Sequence, residues 1–145
     1  MEEKVIKAAL LGLGTVGTGV YKVLKNQEEE MCAKIGCKVR IEKILVRNVE
    51  KASRKIEDTT VFITNNWEEI RKDPSIEIVI ELMGGIEPAK TYILDALRAG
   101  KHVVSANKDL IAVYGKELLD AAKQSHVDFL FEAAVAGGIP IIRPL

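Results

Sequence analysis

A glycine triplet closing an apolar run constrains this chain more than any other feature. Val5-Ile6-Lys7-Ala8-Ala9-Leu10-Leu11 has the length and apolarity of a buried strand, and it stops at Gly12-Leu13-Gly14-Thr15-Val16-Gly17. Behind the glycines, Val16, Val20, Val23 and Leu24 recur at helical spacing, and the pattern runs on toward Met31, with Gly36 as its stop. A G-x-G-x-x-G between strand and helix has a mechanism. Gly12 permits the tight turn, Gly14 lets the backbone approach a pyrophosphate, and Gly17 lets the helix pack closely on the strand. The free N–H groups and positive dipole end of that helix then favour the phosphates of a dinucleotide.

The rest of the chain repeats the unit. Cys37 to Val46 carries β-branched residues and reads as a second strand ending at Arg47-Asn48. The charged stretch Val49 to Thr60 is a short helix or a loop, and Val61-Phe62-Ile63 is a brief strand. Asn66 caps a short helix through Arg71, and Asp73-Pro74 marks a turn. Ile76 to Leu82 is the clearest strand of the middle, stopped by Gly84-Gly85. Pro88 suits the first turn of a helix whose Ile93, Leu94 and Leu97 share a face and which Gly100 closes. Lys101 to Ser105 is a strand; a helix from about Gly115 to Gln124 turns Leu118, Leu119 and Ala122 inward; Val127 to Phe131 is the last strand. Such alternation implies parallel strands joined by right-handed crossovers. The expected fold class is therefore α/β: a Rossmann-type, doubly wound, mostly parallel sheet with helices on both faces. Residues 1–145 form one dinucleotide-binding domain without internal repeat or linker.

Composition then removes whole classes of function. With 21 Lys+Arg against 21 Asp+Glu and no long basic run, the chain lacks the footprint of a nucleic-acid binder. No apolar stretch approaches the ~18 residues of a membrane span, and the acidic start MEEKVIKAALLG is unlike a signal peptide, so a cytoplasmic location without membrane partner is expected. Cys32 and Cys37 lack zinc-site spacing and read as reduced, structural residues.

Ligands of open parallel sheets gather outside the carboxyl ends of the strands. At the second strand end an Asp or Glu would bind the ribose 2′-hydroxyl of NAD; here Val46-Arg47-Asn48 offers none, while Arg47, helped by Lys51, can pair with a 2′-phosphate. NADP is thus favoured over NAD. Further along, Leu82-Met83-Gly84-Gly85 lets a flat ring or ribose approach the backbone, and Ser105-Ala106-Asn107-Lys108 places a cation near the nicotinamide end. Glu132 lies in the apolar loop Ala133 to Pro140, where an unpaired charge is costly, so a backbone N–H or a bound cation should meet it; carbonyls turned inward by glycines complete an oxygen site for a hard cation. His102 and His126 sit at strand entrances, away from this end, and Asp95, Asp109 and Asp120 are expected to face solvent from helices.

GLGTVG, ELMGGIEPA, HVVSANKDLIA and FEAAVAGGIPIIRPL, in this order, resemble the N-terminal nucleotide-binding part of homoserine dehydrogenase over essentially the whole chain. The resemblance implies reversible oxidation of L-homoserine to L-aspartate 4-semialdehyde with NAD(P), a step toward threonine, methionine and isoleucine. It implies cofactor contacts from Leu13, Gly14, Thr15, Val16, Gly17, Gly84, Ser105 and Lys108, with Lys108 also catalytic. It further implies a sodium ion held by Glu132 and the backbone of Val135, Gly137 and Ile139. Family members continue into a domain supplying most homoserine contacts and the homodimer interface. The chain is thus expected to be a fragment that binds cofactor with negligible turnover alone. The rival expectation is a nucleotide-sensing regulatory module of a potassium transport system, against which Arg47-Asn48, SANK and EAAVAGGIP argue.

Overall fold

A computed structural model describes residues 4–131, in which the alternating units assemble into one six-stranded sheet with every strand pair parallel. The elements are β1 (Val5–Leu11), α1 (Thr15–Asn26), α2 (Glu28–Ile35), β2 (Lys38–Leu45), α3 (Val49–Lys55), β3 (Phe62–Thr64), α4 (Glu68–Arg71), β4 (Ile76–Glu81), α5 (Ala89–Arg98), β5 (His102–Ser105), α6 (Lys108–Gln124) and β6 (Phe129–Phe131). The strand order β3-β2-β1-β4-β5-β6 builds outward from β1 in one direction and then, from β4, in the other. That reversal is the doubly wound topology read from the sequence. It leaves a crevice where the carboxyl ends of β1 and β4 diverge.

Two cores follow from the two-residue period of β1. Ala8 and Leu10 join Val20, Tyr21 and Leu24 of α1 and Ala52 of α3 on one face; Ala9 and Leu11 join Ile93 and Leu97 of α5 and Leu110 and Leu118 of α6 on the other. A strand covered on both faces must be apolar at successive positions, which is why β1 reads as a run rather than an alternation. Burying each leucine or isoleucine contributes about 1.5–3 kcal/mol.

The structure departs from the sequence expectations at several elements. The helix expected to run on toward Met31 breaks at Gln27 (φ −107°, ψ 20°), and α2 restarts with three glutamates at its positive dipole end before Gly36, at φ 84°, stops it. Helix α6 begins at Lys108, seven residues before the expected start. Asn107 Oδ1 accepts from Leu110 N–H at 3.2 Å and caps it, and Gly115 is carried in its interior. Leu118 and Ala122 turn inward, but Leu119, one step of the helix away, is exposed. Val16 is likewise exposed, with Tyr21 on the buried face. Pro88 is the N-cap of α5 rather than part of its first turn, and its peptide bond with Glu87 is cis. Asp95 does not simply face solvent: its Oδ2 accepts from Trp67 Nε1 at 3.1 Å. The stretch that was ambiguous between helix and loop holds α3, capped by Asn48, whose Oδ1 accepts from Lys51 N–H.

The amino ends of the strands are closed by charge. Lys101 is 3% exposed, and its Nζ donates to the carbonyls of Asp73 (2.5 Å) and Ile76 (2.9 Å); burial lowers its pKa. Asp73 in turn accepts from the Ser75 hydroxyl and from Lys43 Nζ, at 2.6 and 2.9 Å. Those two donors, Ser75 foremost, outweigh burial and bring its carboxyl down to about 2. His102 Nδ1 accepts from Asp128 N–H, a structural role in keeping with its place at a strand entrance.

Candidate functional site

The glycine loop works as its spacing demands. Gly12 has φ +98°, and the ladder continues into it through its N–H to Leu45 O (2.9 Å). A Cβ on Gly17 would lie 2.3 Å from the Gly12 carbonyl oxygen, so that position admits glycine alone. A Cβ on Gly14 would meet nothing within 4 Å. The backbone there is open to an approaching ligand. Gly14 is also the N-cap of α1 and offers no side-chain acceptor to the first turn, which leaves that turn's N–H groups for an anion.

In front of the loop lies a groove of about 840 Å³, in the size range of cofactor sites. Gly12, Leu13, Gly14, Arg47 and Gly84 line it, so the structure brings together five of the residues singled out from sequence. Thr15, Val16 and Gly17 form the first turn of α1 behind them. The β2 side adds Asn48, Lys51 and Lys55, making three cations and no carboxylate among the described lining residues. Lys55 Nζ donates to Leu13 O at 3.1 Å, tying α3 to the loop. Lys55 escaped sequence reasoning because its stretch was ambiguous there; its signal was the four-residue helical step from Lys51. A second depression, of about 370 Å³, holds Tyr21, Lys25 and Asp58, but its ammonium and carboxylate already pair at 2.8 Å. That hydrogen bond, with further ones from Thr60, holds Asp58 well below the usual carboxylate range.

On the β4–β5 side the arrangement differs from the sequence expectation. Ser105 has no exposed surface. Its hydroxyl donates to Glu81 Oε1 at 2.6 Å and its oxygen accepts from Asn107 N–H at 3.1 Å, so the side chain lies beneath the groove instead of lining it. Lys108 is exposed as the first residue of α6, where the helix dipole disfavours a cation by a few tenths of a kcal/mol to about 1. Its position is thus held by the cap at Asn107 and not by favourable electrostatics. Gly84 and Gly85 both take left-handed backbone, at φ +77° and +73°. Sequence reasoning missed Glu81, the buried carboxylate under this end; in a strand that also holds the exposed Glu77, nothing marked it out. Glu132, Val135, Gly137 and Ile139, expected to hold a cation, lie outside the described residues. Among the described residues no group of three His, Cys, Asp or Glu is placed to hold a metal ion. Nor is any described helix long and apolar enough to cross a membrane.

Comparison with known proteins bears on this geometry directly. Residues 12–132 match the family model described as homoserine dehydrogenase, NAD binding domain. The chain is 49% identical over 142 residues to a homoserine dehydrogenase of Bacillus subtilis, covering 98% of the chain and 33% of that protein. It is 47% identical over 143 residues to one of Lactococcus lactis, covering 97% of the chain and 33% of that protein. A crystal structure of a homoserine dehydrogenase from Thiobacillus denitrificans superposes with a TM-score of 0.85 at 43% identity, over 91% of this chain and 30% of the other. The chain thus spans about a third of the length of the curated relatives it matches. A potassium-transport regulatory module, the rival reading of the sequence, is not supported.

Proposed function

Because the chain belongs to the homoserine dehydrogenase family, as its NAD-binding domain, we propose that it is the cofactor half of an enzyme interconverting L-homoserine and L-aspartate 4-semialdehyde. The observation that carries the reading is the glycine loop at the strand-order reversal, opening onto a groove lined with three cations. The pyrophosphate lies on the amino end of α1, and the adenosine half extends toward β2. There Arg47, with Lys51, pairs with a 2′-phosphate, so NADP(H) is preferred to NAD(H). The other half of the dinucleotide extends toward β4 and β5, past Gly84 and toward Lys108.

A bound nicotinamide supplies the hydride acceptor. The chain's own residues hold the anion, orient the ring against the 83–85 turn, and offer the Lys108 ammonium as the polar group beside the reacting alcohol. The reading extends to a sodium ion at Glu132, Val135, Gly137 and Ile139, supported by the EAAVAGGIP stretch. It extends also to a homodimeric, cytoplasmic parent enzyme. Turnover needs groups beyond those named, and the chain alone is expected to bind cofactor without appreciable homoserine oxidation.

Calorimetric titration tests the core of this. The chain should bind NADPH more tightly than NADH, and Arg47→Ala should weaken NADPH by about tenfold while changing NADH by less than about twofold. Equal losses would remove the 2′-phosphate assignment. Binding of neither nucleotide would remove the function itself. Sodium added to the same titrations should raise affinity or thermal stability where potassium does not.

A further inference from the structure

Glu81 ends β4 with its carboxylate wholly buried, and its partners among the described residues are all neutral. Oε2 accepts from the N–H groups of Met83 (2.9 Å) and Gly84 (3.1 Å), while Oε1 accepts from the Ser105 hydroxyl (2.6 Å). A carboxylate without a countercharge is an expensive way to terminate a strand in a core. An apolar residue would fold more cheaply, and departures of this kind concentrate at functional positions.

What the carboxylate organises is a closed ring. Because the Ser105 O–H donates its hydrogen bond to Glu81, its oxygen is turned to accept from Asn107 N–H. Asn107 then uses both ends of its amide: Oδ1 accepts from Leu110 N–H and caps α6, and Nδ2 donates to Gly85 O at 2.5 Å. The ring returns to the 83–85 turn, whose two left-handed glycines have no side chains of their own to fix them. One arm of the ring therefore carries Gly84, a wall of the groove, and the other carries Lys108, the residue after Asn107.

We propose that Glu81 is a positioning residue. Through Ser105 and Asn107 it locks the 83–84 turn and the amino end of α6 into one unit, so that the groove wall and the Lys108 ammonium meet the nicotinamide half of the cofactor in fixed register. This rests on the dinucleotide reading above and adds to it a residue that touches neither cofactor nor substrate. Glutamine keeps the shape of Glu81 but not its polarity. Its single oxygen can serve the two turn amides, and its NH₂ then meets Ser105 as a donor, so the Ser105 hydroxyl proton loses its carboxylate acceptor. The charge-assisted link to Ser105 gives way to a reversed, weaker neutral one with no change in volume.

The test compares two probes on the same chain, NADPH and adenosine 2′,5′-bisphosphate, which fills only the half toward β2. In Glu81→Gln, affinity for the bisphosphate should stay within about twofold while NADPH weakens by about tenfold or more. Amide exchange at Met83, Gly84 and Leu110 should quicken in the free protein. Wild-type affinity for NADPH in the variant overturns the proposal, and so does an equal loss on both probes, the mark of a general structural role. Should Glu81→Gln fail to fold, Ser105→Ala breaks the same link and is read by the same two probes. Failure of wild-type protein to bind either probe would instead remove the dinucleotide reading, and this inference with it.

Discussion

The two ends of β4 each bury a charge, and they do so with opposite signs and opposite companions. At the amino end, the Lys101 ammonium gathers carbonyl oxygens, those of Asp73 and Ile76; at the carboxyl end, the Glu81 carboxylate gathers N–H groups and a hydroxyl. In each case a loop's orphan backbone is satisfied by an ion, so the polarity of the ion follows from which backbone groups the loop leaves free. The surroundings separate them. Lys101 sits over a packed end with Asp73, Lys43 and Ser75 already bound to one another, whereas Glu81 sits under two left-handed glycines and an open groove. One buried ion closes the fold. The other holds a working surface in place.

The sharpest way to break that comparison is to remove the charge at the closed end. Lys101→Met strands two buried carbonyls and should cost about 3 kcal/mol in urea unfolding, while the folded protein keeps its affinity for NADPH within about twofold. A matching loss of NADPH affinity would mean that the two ends are not separable. Next in size, Asn107→Ala removes the cap of α6 and one arm of the ring around Glu81, and should cost about 1–2 kcal/mol. Unlike Lys101→Met, it should weaken NADPH more than adenosine 2′,5′-bisphosphate.

The smallest effect is acid titration of the closed end. The Asp73 carboxyl, near 3.8 when unfolded, sits at about 2 in the fold because Ser75 and Lys43 bind its charged form. A carboxyl with a lowered folded pKa contributes stability above pH 4, and that contribution disappears as pH falls toward 2. With solvent screening it should amount to about 1 kcal/mol. Asp73→Asn should flatten the stability profile between pH 4 and 2 and leave cofactor binding at neutral pH unchanged.

Sequence reading reached the sheet and the loop because both rest on local signals: a run stopped by glycine, and three glycines at fixed spacing. It reached Gly12, Gly14, Arg47 and Gly84 at the groove for the same reason, since each lies within three residues of a strand's carboxyl end. Glu81 and Ser105 were different. They meet only because β4 and β5 are neighbours in register, Glu81 opposite Ser105, and no spacing along the chain encodes that pairing. Helix α6 was partly legible, as Asn107 followed by Lys-Asp-Leu is an ordinary cap; Gly115 drew the start seven residues too far along, although glycine inside a helix costs only about 1 kcal/mol and packing on Leu110 and Leu118 repays it. Lys101, between Gly100 and a strand, looked like the strand's first residue until the loop at Asp73 was seen folding over it.

Trp67, the chain's one tryptophan, stacks on Tyr92 with ring centroids 4.8 Å apart, and Tyr92 is part of the groove wall. An indole buried one ring behind the binding surface is a built-in optical gauge. Its emission overlaps the absorption of a reduced nicotinamide, so filling the groove should dim the tryptophan and brighten the bound cofactor in proportion. Occupancy can then be followed in real time without a label, and in every variant that leaves α4 and α5 in place.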